Sequence, residues 1–210
     1  MPELVVTLGI IGAIAALIIS NIVNSIDEKK NMVALRKIQN SLTQVTQLVI
    51  NDNMSPIYWD LKDYDYNSAA KAYKYYKPYF KVLRECSNQE GCWKYPTTYL
   101  SGKVYLRSTE PYQYMFTLTD GMNVLVNVFS EEVIEDEFGV KVDGASVVFI
   151  VDVNGDRRPN RVGTDIFAFV LRDDYIVPAG NDSSYNCNIA GYGLACTARV
   201  MKDNYTIKYY

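Results

Sequence analysis

The oxygen-bearing side chains around Gly155 are spaced in a way that suits a hard cation. Carboxylates and amides recur through this stretch, and the candidate ligands are Asp152, Asn154, Asp156, Asn160 and Asp165. Alternation in a tight turn points successive oxygens inward, and calcium takes oxygen ligands of this kind. The turn is therefore a candidate Ca²⁺ site, although nothing in the chain requires a cofactor.

Two observations favour a metal-free interpretation of the same turn. Gly163 stands where the bidentate acid of an EF-hand loop belongs, and Asp165 comes only later. Arg157, Arg158 and Arg161 lie within the stretch. The alternative is therefore an Asx-rich turn braced by Asp–Arg pairs and by hydrogen bonds from side chains to the backbone. The two interpretations differ in whether calcium raises the melting temperature.

The four cysteines form two pairs that are close in sequence. They are Cys86, Cys92, Cys187 and Cys196. Short loops closed by disulfides in an oxidising compartment suit this spacing. A zinc site made of all four thiolates is the alternative, but its usual spacing of about two to four intervening residues is exceeded in both pairs. We predict the two local disulfides.

The chain contains no histidine, and its formal net charge is -3. The absence of histidine excludes Ser-His-Asp, Cys-His and His-ligated zinc chemistry, so we predict that the protein is not an enzyme. The net charge gives no general reason to bind nucleic acid. Lysines and tyrosines alternate over residues 68–83, and we interpret them as a core-facing tyrosine row with solvated lysines, so nucleic acid is not a predicted partner.

One long helix begins the chain. Residues 4–23 carry no charge and would span about 30 Å as a helix, the thickness of a bilayer core. From Asn24 the pattern becomes amphipathic, with an apolar stripe at Leu35, Ile38, Leu42, Val45 and Val49. The residues from Asn51 to Pro56 predict the helix end. We divide the chain into residues 1–24, a transmembrane or filament-core segment, and 25–210, a globular head.

Four β-rich stretches follow the helix. They are residues 112–119, 122–129, 145–153 and 166–177, and Asp120-Gly121 between the first two predicts a type I′ hairpin turn. A short helix is predicted at residues 68–83, ending or kinking near Pro78. An edge strand is predicted at Tyr205, Ile207 and Tyr209. The predicted fold is α+β, with the long helix packed on a four-stranded antiparallel sheet and a disulfide-bounded C-terminal region.

The start of the chain carries a family resemblance. Glu3-Leu4 followed by VVTLGIIGAIAAL resembles the N-terminal signature of mature type IV pilins and of type II secretion pseudopilins. The glutamate lies nearer the chain start than in the family, and Ser20 stands where members often carry proline. The resemblance implies a pilin-like fold, N-terminal methylation, and assembly roles for Glu3, Gly9, Gly12 and Ser20.

The resemblance also implies a function. It predicts a structural subunit of a type IV pilus, held in the bacterial inner membrane before assembly and extracellular afterwards, with a prepilin peptidase and an assembly platform as partners. In this family the glutamate neutralises the N-terminal amine of a neighbouring subunit. Two alternatives remain: a pseudopilin of a type II secretion system in a periplasmic pseudopilus, or a membrane-tethered adhesive or ligand-binding head.

Overall fold

The computed structural model describes residues 2–106, 110–183 and 187–207. Its first element is helix α1, Pro2–Asn53, whose 52 residues span roughly 78 Å at ~1.5 Å per residue. Met54 has a φ of 64°, which breaks the helical path, and Pro56 follows it in a 3₁₀ turn, Pro56–Tyr58. The helix therefore ends at the polar residues 51–53, as predicted from the sequence.

Six strands form one antiparallel sheet in the order β1-β4-β5-β6-β7-β8. They are β1 Val82–Ser87, β4 Tyr114–Leu118, β5 Asn123–Phe129, β6 Ser146–Asp152, β7 Ile166–Arg172 and β8 Tyr175–Pro178. Two short strands, β2 Thr97–Thr98 and β3 Val104–Leu106, pair separately. The prediction of a four-stranded sheet is therefore wrong, and only the coarser combination of helix and antiparallel sheet agrees with an α+β fold.

Two local events explain the two extra strands. The apolar run at residues 166–177 divides into β7 and β8 because Asp173, with a φ of 51°, turns the chain back on itself. Strand β1 lies where the end of the predicted helix at residues 68–83 was placed. The helix ends near Pro78, as predicted, at the 3₁₀ turn Lys77–Tyr79, and Val82–Ser87 then pairs with β4.

The turn between β4 and β5 is also different from the prediction. Gly121 has a φ of 89°, whereas Asp120 has no positive φ, so the turn is not type I′. The Gly121 amide donates to the Leu118 carbonyl at 2.9 Å, and the Leu118 amide donates to the Met122 carbonyl at 2.9 Å. This is the three-residue loop in which a type I turn is followed by a left-handed glycine.

The remaining helices are short. They are α2 Tyr66–Tyr76, α3 Glu131–Val133 with a π-helical turn at Ile134–Phe138, and α4 Cys196–Lys202. The predicted C-terminal edge strand is wrong as far as the chain is described, and Tyr209 lies outside the described residues. Tyr205 donates to Gln39 Oε1 at 2.6 Å and lies under the Arg36 guanidinium, so the tail packs on α1 instead of on the sheet edge.

Both faces of the sheet are buried. The α1 stripe, which the structure extends to Met32, packs with α2 against one face, where Val124, Val126 and Val128 of β5 point. Leu125 and Phe129 point to the other face, which is covered by loops carrying Trp93 and Phe138. The predicted packing of the amphipathic half of α1 on the sheet is confirmed. Double-sided burial explains why β5, β6 and β7 are apolar almost throughout.

Candidate functional site

The first half of α1 exposes large apolar side chains. Those described are between 45% and 63% exposed: Ile10, Ile11, Ile14, Ile19, Ile22, Val23 and Ile26. A Cβ built on Gly9 or Gly12 would meet nothing within 4 Å, so both glycines face open space. Isolated exposed hydrophobes are ordinary, but a contiguous run of this length marks an interaction surface.

The side chains of Glu3 and Ser20 lie outside the described residues, so the assembly roles predicted for them stay predictions. The backbone of α1 is helical through both positions. The predicted transmembrane segment also falls partly on side chains outside the described set. Among the side chains that are described, no helix combines the length and the apolarity needed to cross a membrane.

The predicted cation turn forms a compact polar network between β6 and β7. Asp165 is fully buried, and its Oδ2 accepts hydrogen bonds from the Asn160 amide and from Asn154 Nδ2, both at 2.9 Å. Its Oδ1 accepts the Arg161 amide at 2.6 Å. Asp152, which is 1% exposed, accepts the amides of Asn154 and Gly155 on Oδ1. Four of the five predicted ligands therefore meet in this network.

The fifth predicted ligand points elsewhere. Asp156 is exposed, and its Oδ1 accepts a hydrogen bond from Asn123 Nδ2 at 3.4 Å. Asn123, buried at the start of β5, also accepts from Thr117 Oγ1 at 2.8 Å. Sequence reasoning missed Asn123 because its link to the turn depends on its pairing opposite Asp152, a register that only the folded sheet creates.

Three oxygens of the network have no hydrogen-bond partner among the residues that the structure describes. They are Asp152 Oδ2, Asn154 Oδ1 and Asn160 Oδ1, and none is reachable by solvent. Burying an unsatisfied polar oxygen costs about 1–3 kcal/mol, and more for a charged group. Burial, reinforced by the nearby charge of Asp165, raises the pKa of Asp152 to about 8. Burial likewise raises the pKa of Asp165.

The three arginines do not brace the buried carboxylates through their side chains. Arg157 Nε donates to the Asn154 carbonyl at 3.2 Å, the Arg158 guanidinium lies 4.8 Å from the centre of the Tyr95 ring, and Arg161 Nη2 donates to the Leu100 carbonyl. Within residues 2–106, 110–183 and 187–207, no ion pair joins an arginine to Asp152 or Asp165. The metal-free alternative is therefore observed in its side-chain-to-backbone hydrogen bonds, which Asp152 and Asp165 accept from four backbone amides, but not in its Asp–Arg pairs.

The network offers a cation two carboxylates and neutral amide oxygens. No group of three or more His, Cys, Asp or Glu side chains able to hold a metal occurs in the described part of the chain. The oxygens left without partners are of the type that calcium takes, and the surrounding backbone amides orient both carboxylates. The residues present therefore fit a hard cation better than a transition metal.

Gly155 holds the network against the neighbouring hairpin. It has a φ of 67°, and a Cβ on it would lie 2.2 Å from the Gly121 carbonyl oxygen. The side chain of any other residue would therefore collide with the backbone of the β4–β5 turn. This close approach places the cation turn directly beside residues 120 and 121.

The cysteines form the local disulfides Cys86–Cys92 and Cys187–Cys196, and no free cysteine occurs in the described chain. The thiols are therefore not arranged as a zinc site. The first bond ties the end of β1 to the following loop, and the second joins the start of α4 to the segment before it.

The lysine and tyrosine alternation belongs to α2 and to the turn after it. Tyr73 and Tyr76 are buried in the core, as predicted, and the Tyr76 hydroxyl pairs with Thr46 Oγ1 of α1 at 2.9 Å. Lys74, Lys77 and Lys81 are exposed, as predicted, whereas Lys71 is half-buried and its ammonium donates to the Trp59 carbonyl. These tyrosines are therefore occupied in packing α2 between α1 and the sheet.

Comparisons with known proteins give no match. No family model matches the chain, and neither a curated protein nor a solved structure does. The functional argument consequently depends on the residues and geometry described above.

Proposed function

We propose that the protein is a structural subunit of a helical filament of the type IV pilus kind, in which the first halves of α1 bundle in the core and the heads form the coat. The observation that carries the proposal is the apolar first half of α1, which lies outside the packing of its own head. The resemblance of residues 3–19 to pilins points in the same direction.

The energetics favour association. Fully burying an isoleucine side chain is worth about 1.5–3 kcal/mol, and the seven exposed side chains of this half are each about half buried already. Their combined burial therefore offers several kcal/mol per subunit. A repeated head-to-tail contact that does not close generates an open helical fibre, and the small residues at Gly9 and Gly12 allow neighbouring helices to approach closely. Before assembly, a bilayer supplies the same apolar environment.

The alternatives share this helix and differ in the assembly. A pseudopilin would use the same bundling in a shorter periplasmic filament, and deletion of its gene would stop enzyme secretion. A membrane-tethered adhesive or ligand-binding head would use the helix only as an anchor, and the purified protein would stay monomeric in detergent and after its removal.

The filament is tested by a matched pair of charge substitutions. In Ile14→Asp, a carboxylate enters the proposed bundle, and we expect filaments to disappear from negative-stain images after detergent removal. Leu83→Asp changes a side chain that is 66% exposed on the head, and we expect normal filaments. Wild-type protein without filaments, or normal filaments from Ile14→Asp, would contradict the proposal. Glu3→Ala is expected to reduce assembly while leaving the membrane-inserted monomer.

The three unpartnered oxygens support a second function, binding of Ca²⁺ at the turn between β6 and β7. Asp152, Asp165, Asn154 and Asn160 would hold the ion, whose charge would offset that of the two buried carboxylates. A cation that binds only the folded state stabilises it by mass action.

This binding is tested with two isosteric variants. We expect calcium to raise the melting temperature of the wild type and of Asp156→Asn, since Asp156 faces outward. In Asp152→Asn the calcium effect should vanish. The proposed metal site is wrong if calcium and a chelator leave the wild-type melting temperature unchanged. It is also wrong if calcium changes the melting temperatures of both variants equally.

A further inference from the structure

A groove runs between α1 and the β4–β5 turn, with a volume of about 510 Å³. Its apolar floor contains Met122 and Val153, each 5% exposed, and its uncovered apolar side chains are Ile26 and Val33 of α1, which are 45% and 69% exposed. Its rim is basic, with Lys29, Lys30, Lys37 and Arg157. The groove thus combines an uncovered apolar surface with several positive charges.

Among the residues that line the groove, the positive charges of the rim exceed the single negative charge of Asp120, whereas Asp27, Glu28 and Asp156 are its neighbours in sequence. Asp120 pairs with Lys37 at 2.8 Å, and Asp27 pairs with Lys30 at 3.4 Å. The second pair is solvent-exposed and therefore weak. The first half of α1 from a neighbouring subunit would bring no compensating charge, since residues 4–23 carry none. The occupant of the groove must bring both acidic and apolar groups.

The head itself carries a segment of that chemistry. The acidic turn, residues 131–137, contains Glu131, Glu132, Glu135, Asp136 and Glu137. Lys141 pairs with Glu135 at 3.6 Å, so the turn keeps a net negative charge. Burial, followed by the charge of the adjacent Asp136, raises the pKa of Glu137. Val133 adds a half-buried apolar side chain between the acids.

The acidic turn is held in a defined shape. Ile134 and Phe138 are fully buried under it. The Phe138 carbonyl accepts the Gly180 amide at 2.6 Å, and the Gly139 carbonyl accepts the amides of Asp182 and Ser183, both at 3.1 Å. The backbone between these anchors is π-helical, a form that is rare and often found at functional sites. A preformed segment loses little conformational entropy on binding.

The groove and the acidic turn lie at opposite ends of the same strands. Asn123 pairs with Asp152 at the groove end of β5, and Phe129 pairs with Ser146 at the other end, where the acidic turn begins. Seven residues of β5 separate the two ends by about 23 Å at ~3.3 Å per residue. Complementary surfaces at opposite ends of one head cannot pair within one chain and instead favour a head-to-tail contact between copies.

We propose that the basic apolar groove of one subunit binds the acidic turn of a second copy of this chain, a contact that deepens the proposed filament and rests on that function. Lysine and arginine of the rim face the glutamates of the partner copy, and Val133 covers the apolar floor. Charge complementarity makes the contact selective. It therefore determines which end of one head binds the next head.

The test uses the full chain in nonionic detergent, where the apolar helix halves are shielded and only the heads can associate. Sedimentation velocity would measure self-association of the wild type, of Lys30→Glu, of Glu132→Lys and of the double variant. We expect each single variant to weaken association at least tenfold and the double variant, with its charges exchanged, to recover to within threefold of the wild type. Raising the salt concentration should weaken wild-type association.

The control is Lys103→Glu, which makes the same charge change at an exposed lysine away from the groove. It should leave association unchanged. Equal effects of all three single variants, a double variant no better than its parents, or no wild-type association would overturn the contact. Filament loss in Ile14→Asp with intact association in detergent supports both proposals, whereas detergent association without any wild-type filaments overturns the filament and leaves the contact standing.

Discussion

The two halves of α1 are both rich in apolar residues, but the chain buries the apolar side chains of only one half. In the second half, Leu35, Leu42 and Val49 are fully buried against the sheet. In the first half, Ile11 is 63% exposed and Ile14 is 51% exposed. The second half places its hydrophobes on one stripe with charged residues around it, whereas residues 4–23 are apolar on every side.

The difference shows that one face of one sheet cannot bury a helix that is apolar on all sides. The head covers a single stripe of α1, and the remaining surface of the first half needs an environment that surrounds it. Lipid or a bundle of neighbouring helices would provide such an environment. The contrast therefore separates the part of α1 that stabilises the head from the part that is available for binding.

The largest expected effect is in the buried half. Leu42→Ala removes a fully buried side chain between α1 and the sheet, and we expect it to lower the free energy of unfolding by about 2–5 kcal/mol. Urea denaturation followed by circular dichroism would measure it. A loss below about 0.5 kcal/mol, which is typical of surface sites, would mean that the second half of α1 does not contribute to the core.

A second prediction examines the packed side of the head where two backbones touch. In Gly155→Ala the new methyl group would lie 2.2 Å from the Gly121 carbonyl oxygen, and we expect a loss of about 1–3 kcal/mol. Gly144 also has a positive φ but has nothing within 4 Å, so Gly144→Ala should cost less. Equal losses of stability in the two variants would show that the close approach of Gly155 to the Gly121 carbonyl is not the cause.

The third prediction concerns Asp152, a buried polar group with an oxygen that lacks a hydrogen-bond partner among the described residues. The pKa of Asp152 is about 8 in the folded chain against an ordinary value of 3.8, so the folded state holds a proton that the unfolded state releases. This contribution to stability is complete below the unfolded pKa and is lost as the pH rises through the folded pKa. We expect the melting temperature to fall between about pH 4 and pH 8 and the fall to flatten in Asp152→Asn.

Calcium should reduce the fall in melting temperature with rising pH. Because a cation requires the deprotonated carboxylate, it should raise the melting temperature more at pH 8 than at pH 5. The matching control is Asp156→Asn, which should shift the profile only slightly, because the charge of Asp156 is the smallest of the contributions to the pKa of Asp152. Identical pH profiles for all three proteins would show that the carboxyl group of Asp152 is not the buried titrating group.

The smallest expected effect is in the exposed half. Ile14→Ala should change the free energy of unfolding of the head by less than about 0.5 kcal/mol, because the side chain lies outside the core. The same urea experiment, carried out in detergent, compares it directly with Leu42→Ala. A loss as large as that of Leu42→Ala would abolish the distinction between the two halves.

Much of the fold follows from local pattern. The spacing of Leu35, Ile38 and Leu42 identified the packed face of α1, and the alternating or apolar runs located β4, β5, β6 and β7. Strand β1 and the division between β7 and β8 were missed. Val82–Ser87 has little alternation of its own, with three consecutive exposed residues, and is a strand only because β4 lies beside it.

The candidate turn shows the same division. Asp152, Asn154, Asn160 and Asp165 were recognisable from residue type and spacing. The contacts of Arg161 with Leu100 and of Arg158 with Tyr95 were not, because Leu100 and Tyr95 lie far from the turn in sequence. Arg157 stays within the turn, where it donates to the Asn154 carbonyl. Asp156 was included by spacing alone and turns outward.

By itself, the sequence determined the apolar start, the amphipathic continuation of α1 and the local cysteine pairs, since each depends on residues that are neighbours along the chain. Only the tertiary structure decided the six-stranded sheet, the burial of both carboxylates in the β6–β7 turn and the opposed positions of the groove and the acidic turn. Those features depend on strand register and on packing between segments far apart in sequence, which local periodicity does not encode.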